Sequence, residues 1–327
     1  MPPFKKVVLA AGLLAAALAT SLPAFPRIAE STVAPQPGAT KLGTAFEALK
    51  KAHEAGDRRA TVPYATMLQR GLGTAADPQR AFAVAKEAAD AGDADAAVFV
   101  AESLLAGRGT RRDPQAALDA VRGQAQSGHA QAQLLAYRAS RAAPAPSTLT
   151  AGSNQIFGLE MLGRAAQQDL PAAKLQLAAY FVETAGVGNR ERAMAILSSL
   201  ERKTPLLGKL ETALGELEQL GDSPTTIKLI QDAEYAAVAR ATAQGERLAR
   251  DGDCDVPAPV LSAMRRGKPL SDAEFLPIEL PELARSRLVR GTWSENWDYA
   301  VCGRTVTVEV QYRADGNGGV SFDTAIQ

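Results

Sequence analysis

The sequence predicts a mainly α chain: a right-handed helical-hairpin solenoid of about four repeats, a long capping helix and a small C-terminal antiparallel β-sheet. Three observations predict it. A set of glycines, alanines and Asp-Pro pairs recurs at an offset of 36 residues. Residues 1–250 hold 58 alanines whereas the last 77 residues hold 7, with both tryptophans. Apolar spacing also changes, from helical periodicity to strict alternation, beyond Leu288. At 327 residues and 46% hydrophobic content, the chain is long and apolar enough for two cores.

Lys5 and Lys6 precede an apolar run, Val7 to Leu18, and then small residues, which is the order of a secretory signal peptide (residues 1–24). Twelve apolar residues are too few to span a bilayer comfortably. Small residues stand at the minus-three and minus-one positions for cuts after Ala19 or Ser21; a cut after Ala24 is also possible but puts Leu22 at minus three, and no cysteine stands nearby for lipid attachment. Residues 25–42, with Pro26, Pro35, Pro37 and Gly38, read as a Pro-rich linker. The expected location is therefore periplasmic or secreted, with no stable transmembrane segment after processing.

A helical repeat domain is expected over residues 43–251. Gly71, Gly73, Asp77, Pro78 and Ala81 return as Gly107, Gly109, Asp113, Pro114 and Ala117. The same offset relates Gly56, Gly92 and Gly128, then Ala60, Ala96 and Ala132, then Phe46, Phe82 and Leu118. The glycines supply the positive φ that ends one helix, and Asp caps the next, with Pro in its first turn. The alanines let helix axes approach to about 8 Å. Helices of about 12 residues are marginal alone, so the units must stack.

The segments YATMLQRGLGTAADP (Tyr64 to Pro78) and FVAESLLAGRGTRRDP (Phe99 to Pro114) resemble the Sel-one-like repeat family, relatives of the tetratricopeptide repeat. The resemblance is good over residues 44–141 and extends to 200 through a copy at Leu159 to Leu200. There Asp169 stands where Gly128 stood and the Asp-Pro start is missing. An exposed loop is expected over Ala142 to Gln155, with Pro144, Pro146 and Gly152. The resemblance implies that the first helix of each repeat lines an inner surface. Thr66, Glu102 and Arg138, which share one register, are then candidate partner contacts. It also implies a protein partner in the cell envelope, in polysaccharide export or envelope signalling.

Helical spacing continues through Leu210, Leu214 and Leu217; Ser223-Pro224 reads as a cap, and Thr225 to about Arg250 as a long helix covering the end of the stack. Residues 252–327 form a small β-rich domain. Val306, Val308, Val310 and Tyr312 alternate with polar residues, Trp293, Trp297 and Tyr299 share a face of an earlier strand, and Asp315 to Gly319 marks a hairpin, giving three strands. Cys254 and Cys302, the only cysteines, are expected to form a disulfide in an oxidising compartment, worth up to about 4 kcal/mol.

Lys+Arg and Asp+Glu are equal at 36, and removing the signal leaves 34 against 36, so charge gives no case for nucleic-acid binding. His53 and His129 occupy different positions of their units and have no metal-ligand spacing, which leaves solvated or capping roles. Gly-x-Ser-x-Gly, Ser-x-x-Lys, Cys-x-x-Cys and His-Glu-x-x-His are absent. No catalytic residue, cofactor or metal is expected. Asp315, Asn317 and Asp323 lack EF-hand spacing, and Arg58-Arg59 and Arg111-Arg112 fit solvated turns. Trp293 and Trp297 have two readings, a surface for a sugar or peptide and the core of the sheet; they are kept as candidate partner-binding residues. The functional expectation is a non-enzymatic envelope adaptor or scaffold. The alternative is an envelope hydrolase acting on a glycan or peptide with its site in the C-terminal sheet; no sequence feature supports glycan binding.

Overall fold

The computed structural model describes residues 39–143, 148–201, 205–250, 258–316 and 319–327. The expected signal peptide and nearly all of the linker lie outside these residues. Among the described residues there are eleven α-helices and five strands, and none of the helices is long and apolar enough to cross a membrane. The chain divides into two compact units: Phe25–Ala173, and one that contains Lys174–Gln327. The helices after Lys174 thus join the sheet in one unit, and the boundary expected at residues 251 and 252 falls inside it.

The repeat unit contains α1 (Ala39–Glu54), α2 (Arg58–Arg70), α3 (Pro78–Asp90), α4 (Ala94–Ala106), α5 (Pro114–Gln126), α6 (Ala130–Ala142) and α7 (Thr148–Gln167). Gly71 and Gly107 end α2 and α4 at φ 66° and 68°. Asp77 and Asp113 accept the backbone N–H groups of Arg80 and Ala116 at 2.9 and 3.0 Å, with Pro78 and Pro114 in the first turns. A second capping series, of which the sequence reading had only the capping role open to His129, is Asp57, Asp93 and His129, again 36 apart, which cap α2, α4 and α6. His129 does so through Nδ1, which accepts from the Ala132 N–H at 3.3 Å.

Ala81, Ala96, Ala117 and Ala132 are wholly buried, and one apolar core runs from Phe46 to Met161. Along the stack, α2 touches α4 and α4 touches α6, so the first helices of successive repeats form a continuous row. The second glycine of each turn sets the spacing. A methyl group on Gly73 would overlap the Leu42 carbonyl, and one on Gly109 would overlap the Pro78 carbonyl, 36 residues further on. Gly92 and Gly128, also at positive φ, have open space around them.

The loop expected over Ala142 to Gln155 is shorter than predicted, because α7 begins at Thr148. Gly152 lies within this helix, and Gly158 lets it approach α6 at Ser140. Asp169 takes φ 60°, so the position occupied by glycine in earlier repeats keeps its left-handed backbone.

The other unit takes in α8 (Pro171–Glu183) from Lys174 onward, α9 (Asn189–Ser199), α10 (Pro205–Glu216), α11 (Ile227–Arg250) and strands β1 (Val260–Arg266), β2 (Ser271–Phe275), β3 (Leu288–Val301), β4 (Arg304–Asp315) and β5 (Val320–Ile326). All pairings are antiparallel. β3 pairs with β4 along its length; β2 and β1 pair with different stretches of its other edge, and β5 pairs with β4. The sheet thus exceeds the three strands expected. β1 and β2 are mostly exposed and their registers are interrupted, so they carry no alternation to read.

Helix α11 buries Ile230, Ala233, Ala237, Ala241 and Leu248 and packs across β3, β4 and β5, so this long helix covers the sheet. Its first turn is capped by Thr226, whose Oγ1 accepts from the Leu229 N–H at 3.2 Å, rather than by Ser223. At the β4–β5 hairpin, the Asp315 N–H donates to the Gly319 carbonyl at 3.0 Å. Asn317 lies outside the described residues.

Candidate functional site

The row of first helices carries the first candidate surface. Thr66 is partly buried and donates to the Val62 carbonyl at 2.8 Å, Glu102 is exposed, and Arg138 is partly buried. Burial lowers the Arg138 pKa, and the Glu102 charge acts in the opposite direction. The structure thus brings Glu102 and Arg138 together on adjacent first helices, with Thr66 in the same register on α2. The repeats match where they pack and differ along this row, where threonine, glutamate and arginine replace one another.

The C-terminal unit contains a site that the sequence reading missed. Glu295 on β3 has no exposed surface. The Ser223 hydroxyl donates to Oε1 at 2.9 Å and the Trp297 indole N–H to Oε2 at 3.1 Å. Burial raises its pKa; hydrogen bonds from Thr225, Trp297 and Ser223 and the nearby Arg190 charge oppose that rise. The Trp293 indole donates to Thr225 Oγ1 at 2.8 Å and its ring stacks on Tyr312 at 5.1 Å. The carboxylate therefore joins the segment before α11 to the aromatic face of the sheet. A signal was available: Glu295 lies between Trp293 and Trp297 at the two-residue spacing of a strand, the one acid on an aromatic face.

On the outer part of the sheet, Arg265 binds Asp298 through two hydrogen bonds of 2.7 and 2.8 Å, and the Thr307 hydroxyl donates to the same carboxylate at 2.8 Å. These hydrogen bonds hold the Asp298 pKa below its ordinary value and tie β1, β3 and β4 together.

Trp297 is fully buried and Trp293 is 3% exposed, so both belong to the core of the sheet. Cys302 follows β3 at φ 55°; Cys254 lies outside the described residues. His53 Nδ1 is 3.1 Å from the Thr61 hydroxyl and its ring stacks on Tyr64, while His129 Nε2 lies 3.4 Å from Asp95.

These features define a helical-repeat protein with an attached β-sheet. Among solved structures the chain is similar to a Sel1 repeat protein from Oxalobacter formigenes, at 19% identity and TM-score 0.39, covering 64% of this chain and 79% of that one. It is also similar to a protective antigen present in uropathogenic Escherichia coli strains and displaying an SLR fold, at 18% identity and TM-score 0.34, covering 65% of this chain and 56% of that one. The likeness concerns fold. No family model matches the chain, and no curated protein matches it.

Proposed function

We propose that this protein is a non-enzymatic adaptor of the cell envelope whose helical repeats bind a protein partner along the row Thr66, Glu102 and Arg138. The observation that carries the reading is the contrast within each repeat. Packing positions repeat nearly unchanged, while the row varies in size and charge, and its acidic and basic members lie together. A partner with its own alternating charges would meet this row in one register.

Export to the periplasm or medium is part of the proposal and rests on the order of basic, apolar and small residues from Lys5 to Ala24. A Cys254–Cys302 bridge belongs with it; no free cysteine occurs among the described residues. The family resemblance extends the reading to scaffolding in polysaccharide export or partnership with a membrane signalling protein.

Photocrosslinking amino acids placed singly at positions 66, 102 and 138 of the full chain, expressed in its own host, test the role. The expected result is one partner adduct shared by these positions, absent from positions 86 and 119 on second helices, and lost in the Glu102→Arg/Arg138→Glu variant. Equal adducts from both sets, or none from the row, contradict it. N-terminal sequencing of the envelope fraction tests export: a start after Ala19, Ser21 or Ala24 is expected, and cytoplasmic protein retaining Met1 refutes it.

A further inference from the structure

We propose that a basic cleft in the C-terminal unit binds a small organic anion, a carboxylate or phosphate carried on a body about the size of one six-membered ring. The cleft has a volume of about 190 Å³, and Arg266, Lys268 and Arg285 line it together with Asp222, Ser223 and Trp293. A cavity of about 150 Å³ holds one benzene ring, which sets the size of the ligand.

The charge balance favours an anion. Lys268 lies 3.4 Å from Glu309. Arg266 forms no ion pair among the described residues, and Arg285 is held by its guanidinium over the Phe275 ring, 5.0 Å from the centroid. Two arginines thus line one cleft whose lining has a single carboxylate, Asp222, in a chain without net charge. Arginine N–H groups suit carboxylate and phosphate oxygens.

The backbone holds both arginines in place. After Arg266, the Gly267 N–H donates to the Ser294 carbonyl at 3.0 Å, the Lys268 N–H donates to Ser294 Oγ at 2.9 Å, and the Ser294 N–H donates to the Lys268 carbonyl at 3.1 Å. Arg285 has φ 58°, a left-handed conformation that costs a bulky residue free energy. Its carbonyl accepts from the Val187 N–H at 3.0 Å, and the next residue, Ser286, is wholly buried against Tyr180 and Asn189. Glycine would occupy this position without strain. An arginine is held there in spite of it, lining a cleft with Arg266, which forms no ion pair among the described residues.

The reading is independent of the repeat surface. Its test is titration of the full chain with glucuronate, glucose 6-phosphate and glucose, followed by calorimetry and by tryptophan fluorescence, Trp293 being the tryptophan that lines the cleft. Saturable binding of glucuronate or glucose 6-phosphate is expected, with glucose at least tenfold weaker; whichever acid binds names the anionic group. Arg266→Gln and Arg285→Gly should each weaken binding about tenfold, and Arg285→Gly should leave the melting temperature equal or higher because it relieves the left-handed strain. Binding of glucose equal to that of the acids, no saturable response to either acid, or unchanged affinity in both variants overturns the proposal.

Discussion

In the repeat unit many of the residues with no exposed surface are alanines, among them Ala65, Ala81, Ala85, Ala96, Ala117 and Ala132. In the C-terminal unit the innermost side chains include Trp297, Tyr299, Tyr312 and the carboxylate of Glu295. The first interior is built by bringing backbones together, the second by packing the large rings of the sheet against the Ile- and Ala-lined face of α11 and then satisfying a buried carboxyl group. The consequence is a difference in where stability sits. A stack of similar units spreads it over many small contacts, whereas a buried carboxylate with few donors concentrates it in one place.

The largest expected effect is therefore at Glu295. Glu295→Ala leaves the Trp297 indole N–H and the Ser223 hydroxyl without their acceptor and should cost about 3–5 kcal/mol by chemical denaturation. Glu295→Gln keeps the volume and an acceptor and should cost less than about 1.5 kcal/mol. The pair also has a pH signature. Because burial raises the Glu295 pKa, the native unit binds more protons than the unfolded chain above the ordinary value of 4.5. Its contribution is full below that value and is lost as pH rises through the raised pKa. Glu295→Gln should remove this slope. Asp298 acts with the opposite sign: its lowered pKa gives stability present above about 3.8 that is lost as pH falls through the native value, and Asp298→Asn should flatten that acid limb.

Next in size is the turn that spaces the repeats. Gly109→Ala combines a φ of 71° with overlap of the Pro78 carbonyl and should cost about 3 kcal/mol. Gly92→Ala, at φ 90° with open space, should cost only about 1 kcal/mol. Equal costs would show that close approach does not set the repeat spacing. An effect as small as that of Gly92→Ala belongs to the caps: Asp113→Ala removes the acceptor of the Ala116 N–H and should cost about 1 kcal/mol by thermal denaturation.

The same difference explains what could be read in the sequence. Gly107, Gly109, Asp113 and Pro114 do local jobs that recur, so position alone identifies them, and Asp169 could be placed at a left-handed turn by register. The alternation of Val306, Val308, Val310 and Tyr312 likewise shows one face of β4. Glu309, on the other face, is nevertheless 8% exposed, because Lys268 and Gln311 cover it. Strands β1 and β2 were illegible because edge strands with broken registers bury too little to impose a pattern. The partners of Glu295 were illegible because Ser223 lies 72 residues away. The cleft arginines have no spacing signal, since Arg266 ends β1 and Arg285 lies in the segment before β3.

The most direct test of this account is hydrogen exchange followed by mass spectrometry on the full chain, comparing Gly109→Ala and Glu295→Ala with the parent. The account predicts that Gly109→Ala weakens protection most in residues 39–173, in a graded manner strongest near the altered turn, and that Glu295→Ala weakens it most in residues 174–327, across β3, β4 and α11 together. A graded loss confined to β3 in Glu295→Ala, or a uniform loss over all repeats in Gly109→Ala, would contradict it.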